Sequence, residues 1–204
     1  MKLLKKYFEM LLILFALLSA VLAWGEMSFA ALLMLTSFMT LAFYYMLSAV
    51  LVLADKRVSR PVRLLFVVGL YVLSAGIAGS LFRMLFWTGG EALLISALSF
   101  GAAVLIIAAV YYTKLKAELK DVIGSQLASL IKRVVPYLLL FALTYLAPTA
   151  TLFDLVGQNR NDIRYRALFL KSMDNPDDAD LRDSLNSYRT KMLNHDNHPS
   201  PGNR

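Results

Sequence analysis

Long apolar runs separated by short polar breaks dominate the chain. Five runs approach the roughly 20 apolar residues a helix needs to cross a bilayer core of about 30 Å. They cover residues 7–24, 28–54, 64–87, 92–112 and 134–156. The second holds no charge, and the third holds only Arg83, near its end. The fifth is the weakest, since it contains Pro136, Pro148 and Asp154. Between runs four and five, Leu119, Ile123, Leu127, Leu130 and Val134 recur at helical spacing, with Lys116, Lys120 and Lys132 largely off that line. This predicts an amphipathic helix over 114–133 on the cytoplasmic membrane surface, with a bend at Gly124-Ser125. The pattern predicts an all-α fold: a polytopic transmembrane helix bundle of four or five spans in residues 1–156, then a short helical tail in 157–204.

In the tail, Ile163, Ala167 and Leu170 share one side of a helix predicted over 162–173. Asn175-Pro176-Asp177-Asp178 reads as the start of a second helix: a capping residue, proline in the first turn, then acids near the positive helix end. Leu181, Leu185, Tyr188 and Met192 then form one stripe, a docking face, and order is expected to end after about residue 194. Two short helices cannot build a core alone. The tail is expected to dock on the membrane bundle, another copy or a partner.

Composition strengthens the membrane reading. Of the 204 residues, 58% are hydrophobic and 17% charged, against a usual charged share of about 25%. There is no cysteine, which excludes disulfides, thiolate nucleophiles and iron–sulfur ligation. The two histidines, His195 and His198, lie near the C-terminus, so none serves as base or ligand inside the bilayer. His195-Asp196-Asn197-His198 reads as solvated polar residues, and neither metal nor cofactor is expected.

The net charge of +7 reports topology rather than nucleic-acid binding. Lys2, Lys5, Lys6, Lys56, Arg57, Arg60, Arg63, Lys114, Lys116, Lys120, Lys132 and Arg133 fall on one side of the five runs, while the opposite loops, near Glu26 and Glu91, hold only Arg83. Basic loops stay cytoplasmic, so the N-terminus is expected inside. Tyr7, Trp24, Trp87, Tyr111 and Tyr112 fall at the expected interfaces. Residues 7–23 resemble a secretory signal ending in Val21-Leu22-Ala23, but a second run follows within a few residues, which favours a retained first helix. Five spans put the tail outside, in the periplasm. Arg160, Arg164, Arg166 and Lys171 oppose that export, and a re-entrant hairpin over 134–156 would instead leave the tail in the cytoplasm.

Ionisable residues within a bilayer are default functional candidates. Glu9 lies near the start of run one, within reach of the headgroups. Arg83 and Asp154 both fall near the outer face, which suggests an ion pair. Ser37, Thr40, Tyr44 and Ser48 form a polar stripe on helix two. Gly69, Gly76, Gly79, Ser80 and Gly101 are small residues that permit close helix packing. These faces read as a packing seam, or as the lining of a path. The chain lacks Walker A, HExxH and GxSxG patterns, and no histidine or central carboxylate is evident for proton coupling. The expectation is a non-catalytic membrane subunit or assembly factor of a bacterial inner-membrane complex, of the secretion or conjugation type. Its partners would be lipid and other subunits, or further copies of itself. The alternative is a small oligomeric channel or transporter with a hydroxyl-lined path on helix two.

Overall fold

A computed structural model describes residues 2–25, 29–54, 59–114, 117–157, 159 and 161–197, with side chains left undescribed at 2–6, 117–122 and 193–197. Glu26, Asp55, Lys56, Arg57, Lys116, Arg160 and His198, together with the side chains of Leu119, Lys120 and His195, therefore lie outside the described residues. The fold is all-helical, at 89% helix. It comprises α1 (Lys2–Trp24), α2 (Ala30–Ala54), α3 (Arg60–Met84), α4 (Gly90–Lys114), α5 (Ala117–Leu146), α6 (Thr149–Val156), α7 (Ile163–Asp174) and α8 (Ala179–Asn197). Five of them, α1 to α5, are long and apolar enough to cross a membrane, which marks an integral membrane protein.

The chain divides into two compact units, residues 1–147 and 148–204. In the first, α3 is the central helix. Its apolar window is 56% buried, against 22–28% in the other four. Its small residues explain this, because helix backbones come closest where no side chain intervenes. One cluster joins Leu12 and Ala16 of α1, Leu41, Tyr45 and Ala49 of α2, Leu70, Leu73 and Ile77 of α3, Leu94 of α4 and Phe141 of α5. Another joins Leu65, Val104, Ala108, Leu127, Leu130 and Val134. Large apolar residues such as Leu11, Leu14, Phe43, Leu51, Ile106 and Leu143 face outward, as lipid contact requires.

The turn after α3 shows how local chemistry closes a helix. The Trp87 amide donates to the Phe82 carbonyl at 2.7 Å and the Phe86 amide to the Arg83 carbonyl at 3.2 Å. Phe86 takes the left-handed conformation, φ 57°. The Phe82 and Trp87 rings meet edge-on at 5.3 Å. These are the paired bonds, left-handed residue and apolar contact of a Schellman helix end. Gly89, at φ 89°, then reverses the chain into α4.

The fifth helix departs from the expected pattern. Residues 117–146 form one continuous helix, with Pro136 inside it, rather than a surface helix followed by a span over 134–156. The membrane-competent part is Ile123–Leu146. Gly124 lies within this helix rather than at a bend, and a Cβ there would meet the Tyr112 ring at 2.9 Å. Leu127, Leu130 and Val134 face α3 and α4 instead of the membrane surface. The break falls after Leu146, and Pro148, with extended backbone at φ −58° and ψ 145°, is the N-cap of α6.

In the second unit, Asp162 caps α7, its Oδ1 accepting the Tyr165 amide at 2.9 Å. Asn175 ends α7 instead of opening α8. Asp178 accepts the Leu181 amide at 3.1 Å and so supplies the start of α8. This helix continues to Asn197, past the expected end near residue 194.

Candidate functional site

Two clusters of charged side chains stand out among the described residues of the membrane unit. The first is built on Glu9. Along α1, Glu9 shares the spacing of the buried residues Leu12, Ala16, Ser19 and Ala23, steps of three and four that keep one helix face inward. Its side chain is only 12% exposed. Oε1 accepts the Tyr45 hydroxyl at 2.8 Å, and Oε2 pairs with Arg133 Nη2 at 3.1 Å. Tyr45 is fully buried, and its oxygen lies 2.9 Å from that of Tyr137. A hydroxyl has one proton. Once Tyr45 gives its proton to the carboxylate, the bond to Tyr137 takes Tyr137's proton. Glu9 thus terminates a two-tyrosine relay and balances a guanidinium, joining α1, α2 and α5.

Aromatic rings extend this cluster. Phe8, Tyr44, Tyr45, Tyr137 and Phe141 follow one another at centroid separations of 5.6, 5.5, 5.6 and 6.0 Å. The last ring, Phe141, occupies the space that a side chain on Gly76 would need. A Cβ there would lie 2.1 Å from its Cε2.

The second is built on Arg83, whose side chain is 13% exposed. Its Nε donates to the Thr144 carbonyl at 2.9 Å and its Nη2 to the Ala147 carbonyl at 3.0 Å. Its Nη1 pairs with Glu91. The final carbonyls of a helix lack partners within the helix and carry partial negative charge. Arg83 of α3 therefore caps α5 and fastens the start of α4 with the same planar group. Tyr145 adds its ring face, 5.9 Å from the guanidinium carbon.

Within its own unit, each member of the expected Arg83–Asp154 pair has a partner of its own. Asp154 stands in α6, where Arg166 reaches it through two bonds, Nε to Oδ1 at 2.7 Å and Nη2 to Oδ2 at 2.8 Å.

The helix-two stripe does not share one environment. Ser37 is buried, with its hydroxyl 2.8 Å from that of Ser19. Thr40 is exposed and donates to the Thr36 carbonyl at 2.6 Å. Tyr44 and Ser48 are half-buried. Gly69, Gly76, Gly79, Ser80 and Gly101 are all buried. A Cβ on Gly101 would meet Leu138 Cδ2 at 2.4 Å, and one on Gly69 would meet Leu130 Cδ1 at 3.0 Å. Gly79 faces backbone, with the Leu94 nitrogen at 3.0 Å and the Gly90 oxygen at 3.2 Å from such an atom. Ser80 is buried, and its hydroxyl has no hydrogen-bond partner among the described residues.

In the second unit, Leu181, Leu185, Tyr188 and Met192 are the half-buried positions among the described side chains of α8. The Tyr188 hydroxyl donates to Asp162 Oδ2 at 3.0 Å, which ties α8 to α7. The Asp162 carboxyl is held below its ordinary range, chiefly by the Tyr165 amide, with further help from Tyr188. That bond in turn raises the Tyr188 hydroxyl, chiefly by favouring its protonated form. A shallow groove of about 440 Å³ lies between α7 and α8, with Arg164 and Lys191 in its wall. Ile163, Ala167 and Leu170 do share one side of α7, but the buried face is another. Tyr165 and Ser172 turn inward, and Phe153, Tyr165 and Phe169 stack at 4.7 to 6.2 Å. Three aromatic rings bury more surface than the aliphatic line, and they set the rotation of the helix.

Sequence reasoning missed Glu9, Tyr45, Tyr137 and Arg133 as a group. A signal was present in the register of Glu9 with Ala16, Ser19 and Ala23. No protein-family model, curated protein or solved structure matches the chain.

Proposed function

We propose that this protein is a non-catalytic integral membrane subunit, or an accessory factor, of a bacterial inner-membrane complex of the secretion or conjugation type. The observation that carries this reading is the use made of the intramembrane charges. Glu9, Arg83 and Arg133 are committed to tying helices together, and the glycine faces are filled by Phe141, Leu138 and Leu130. Such a scaffold serves to hold a position in a larger assembly. In this reading the N-terminus is cytoplasmic, by the bias of basic residues, and the tail is periplasmic.

The test is extraction from native membranes in mild detergent, followed by particle mass and protein identification. The expected result is a particle heavier than a homo-oligomer, with other subunits in fixed ratio. A lone monomer or homo-oligomer would overturn the reading.

A small channel or transporter is the second reading, and one observation favours it: the buried carboxylate of Glu9 with its tyrosine relay. Its support lies there rather than in the helix-two hydroxyls, since Ser37 and Thr40 are bonded within the protein. Flux through reconstituted vesicles that vanishes in Glu9→Gln, with assembly intact, would favour this second reading.

A further inference from the structure

The outward face of α7 is built for a lipid surface. Ile163 is 85% exposed. Ala167 is also exposed and Leu170 half-exposed, along the line the aromatic face leaves outside. Exposing a large apolar residue to water to that degree is unfavourable, and Ala167 and the half-exposed Leu170 extend the apolar line from Ile163 into a strip. Cations border the strip. Arg164 and Lys171, two turns apart and both exposed, flank one edge, and Arg166 flanks the other. An apolar strip between basic borders is the pattern of a helix lying in the headgroup region. Long basic side chains there reach outward to anionic headgroups while their stems stay apolar. Chain connectivity places this helix within reach. Only Ala147 and Pro148 separate the last residue of the α5 span from α6, and α7 follows shortly after.

We propose that α7 docks on the bilayer through Ile163, Ala167 and Leu170, with Arg164, Arg166 and Lys171 contacting anionic headgroups. Arg166 already shares its charge with Asp154 and the Arg164 guanidinium lies over the Tyr188 ring at 5.3 Å, so Lys171 supplies the largest share of the attraction and Arg164 a smaller one. This inference rests on the second unit alone and holds whether the protein is a subunit or a transporter.

The natural chain has no cysteine, so a single introduced thiol labels one position. The full-length protein is labelled with an environment-sensitive fluorophore at Ile163→Cys or, as a comparison, at the exposed α8 position Ser187→Cys. Each is reconstituted in vesicles of phosphatidylcholine, or of phosphatidylcholine and phosphatidylglycerol in equal parts. Quenching by lipid-borne nitroxide is compared with quenching by aqueous iodide. In anionic vesicles the lipid quencher should dominate at position 163 and iodide at position 187. Docking should weaken about fivefold in Lys171→Gln and by less in Arg164→Gln. Iodide quenching at 163 equal to that at 187 would overturn the proposal. So would protection of 163 from both quenchers, which would mean that protein covers the strip. Unchanged docking in the double charge variant would overturn the role given to the cations.

Discussion

Replacing Gly76 by alanine inserts one carbon where the Phe141 ring already lies. The new Cβ would stand 2.1 Å from Cε2 and 2.4 Å from both Cδ2 and Cζ. Comfortable carbon–carbon contact is about 3.5–4.0 Å, so the ring must retreat by roughly 1.5 Å. It has little room to do so. Phe141 is fully buried and packs on the Tyr137 ring at 6.0 Å, which bonds to Tyr45 and so to Glu9. Overpacking of this kind costs about 1–3 kcal/mol. The transfer contribution is small, since lipid is as apolar as the bundle interior, and the cost is mainly one of packing. Reversible unfolding in mixed micelles, titrated with a denaturing detergent, measures it. Phe141→Leu removes the obstructing ring and gives the second arm of a double-mutant cycle. The two changes together should cost less than their sum, with a coupling of about 0.5–3 kcal/mol. Stability of Gly76→Ala within about 0.5 kcal/mol of the parent, or additivity of the two changes, would refute the close contact.

Arg83→Lys keeps the charge but loses the planar fork that reaches two carbonyls and Glu91. It should cost about 1–2 kcal/mol in the same unfolding assay and speed amide exchange near Leu146; unchanged exchange there would remove the capping role. Arg133→Gln leaves Glu9 without its counter-charge and should cost about 1–3 kcal/mol. That is below the value for a fully buried pair, because Arg133 is 39% exposed. Adding Glu9→Gln should recover part of the loss, and a double variant worse than the sum of the singles would argue against the pair. The folded-state pKa of Asp162 lies below its ordinary value near 3.8, so its stabilisation is complete above that value. It is lost as pH falls through the lower folded value. Amide exchange in α7 and α8 should therefore stay slow down to about pH 4 and quicken below it. Asp162→Asn should flatten this response, and an identical acid transition in that variant would assign the effect to another group.

Helices α1 to α4 were legible because an uninterrupted apolar run of spanning length has few alternatives in lipid. The fifth was misplaced because Lys132 and Arg133 read as the end of a cytoplasmic segment. Their charges were local information, whereas the partner that admits Arg133 to the bundle, Glu9, lies on another helix. Leu127, Leu130 and Val134 do share one face, but periodicity does not say whether a face meets lipid, water or protein. The same limit appears in α7. The line of Ile163, Ala167 and Leu170 exists, and the larger rings of Tyr165 and Phe169 claim the interior instead. In α8 only one apolar line was available, and the stripe of Leu181, Leu185, Tyr188 and Met192 is the one that turns inward.

Both intramembrane charge clusters are completed by α5, and that fixes an order of events during synthesis. Glu9 and Arg83 leave the ribosome before Arg133, Thr144 and Ala147 exist. Before α5 is made, Glu9 has Tyr45 but not its guanidinium, and Arg83 has Glu91 but not the two carbonyls. The first four helices alone therefore carry an acid whose one partner is the Tyr45 hydroxyl at one end of the bundle, and an unfilled donor set at the other. Arrival of the fifth silences both at once. A chain halted before α5 therefore keeps two charges whose partners are incomplete, and the finished bundle keeps neither.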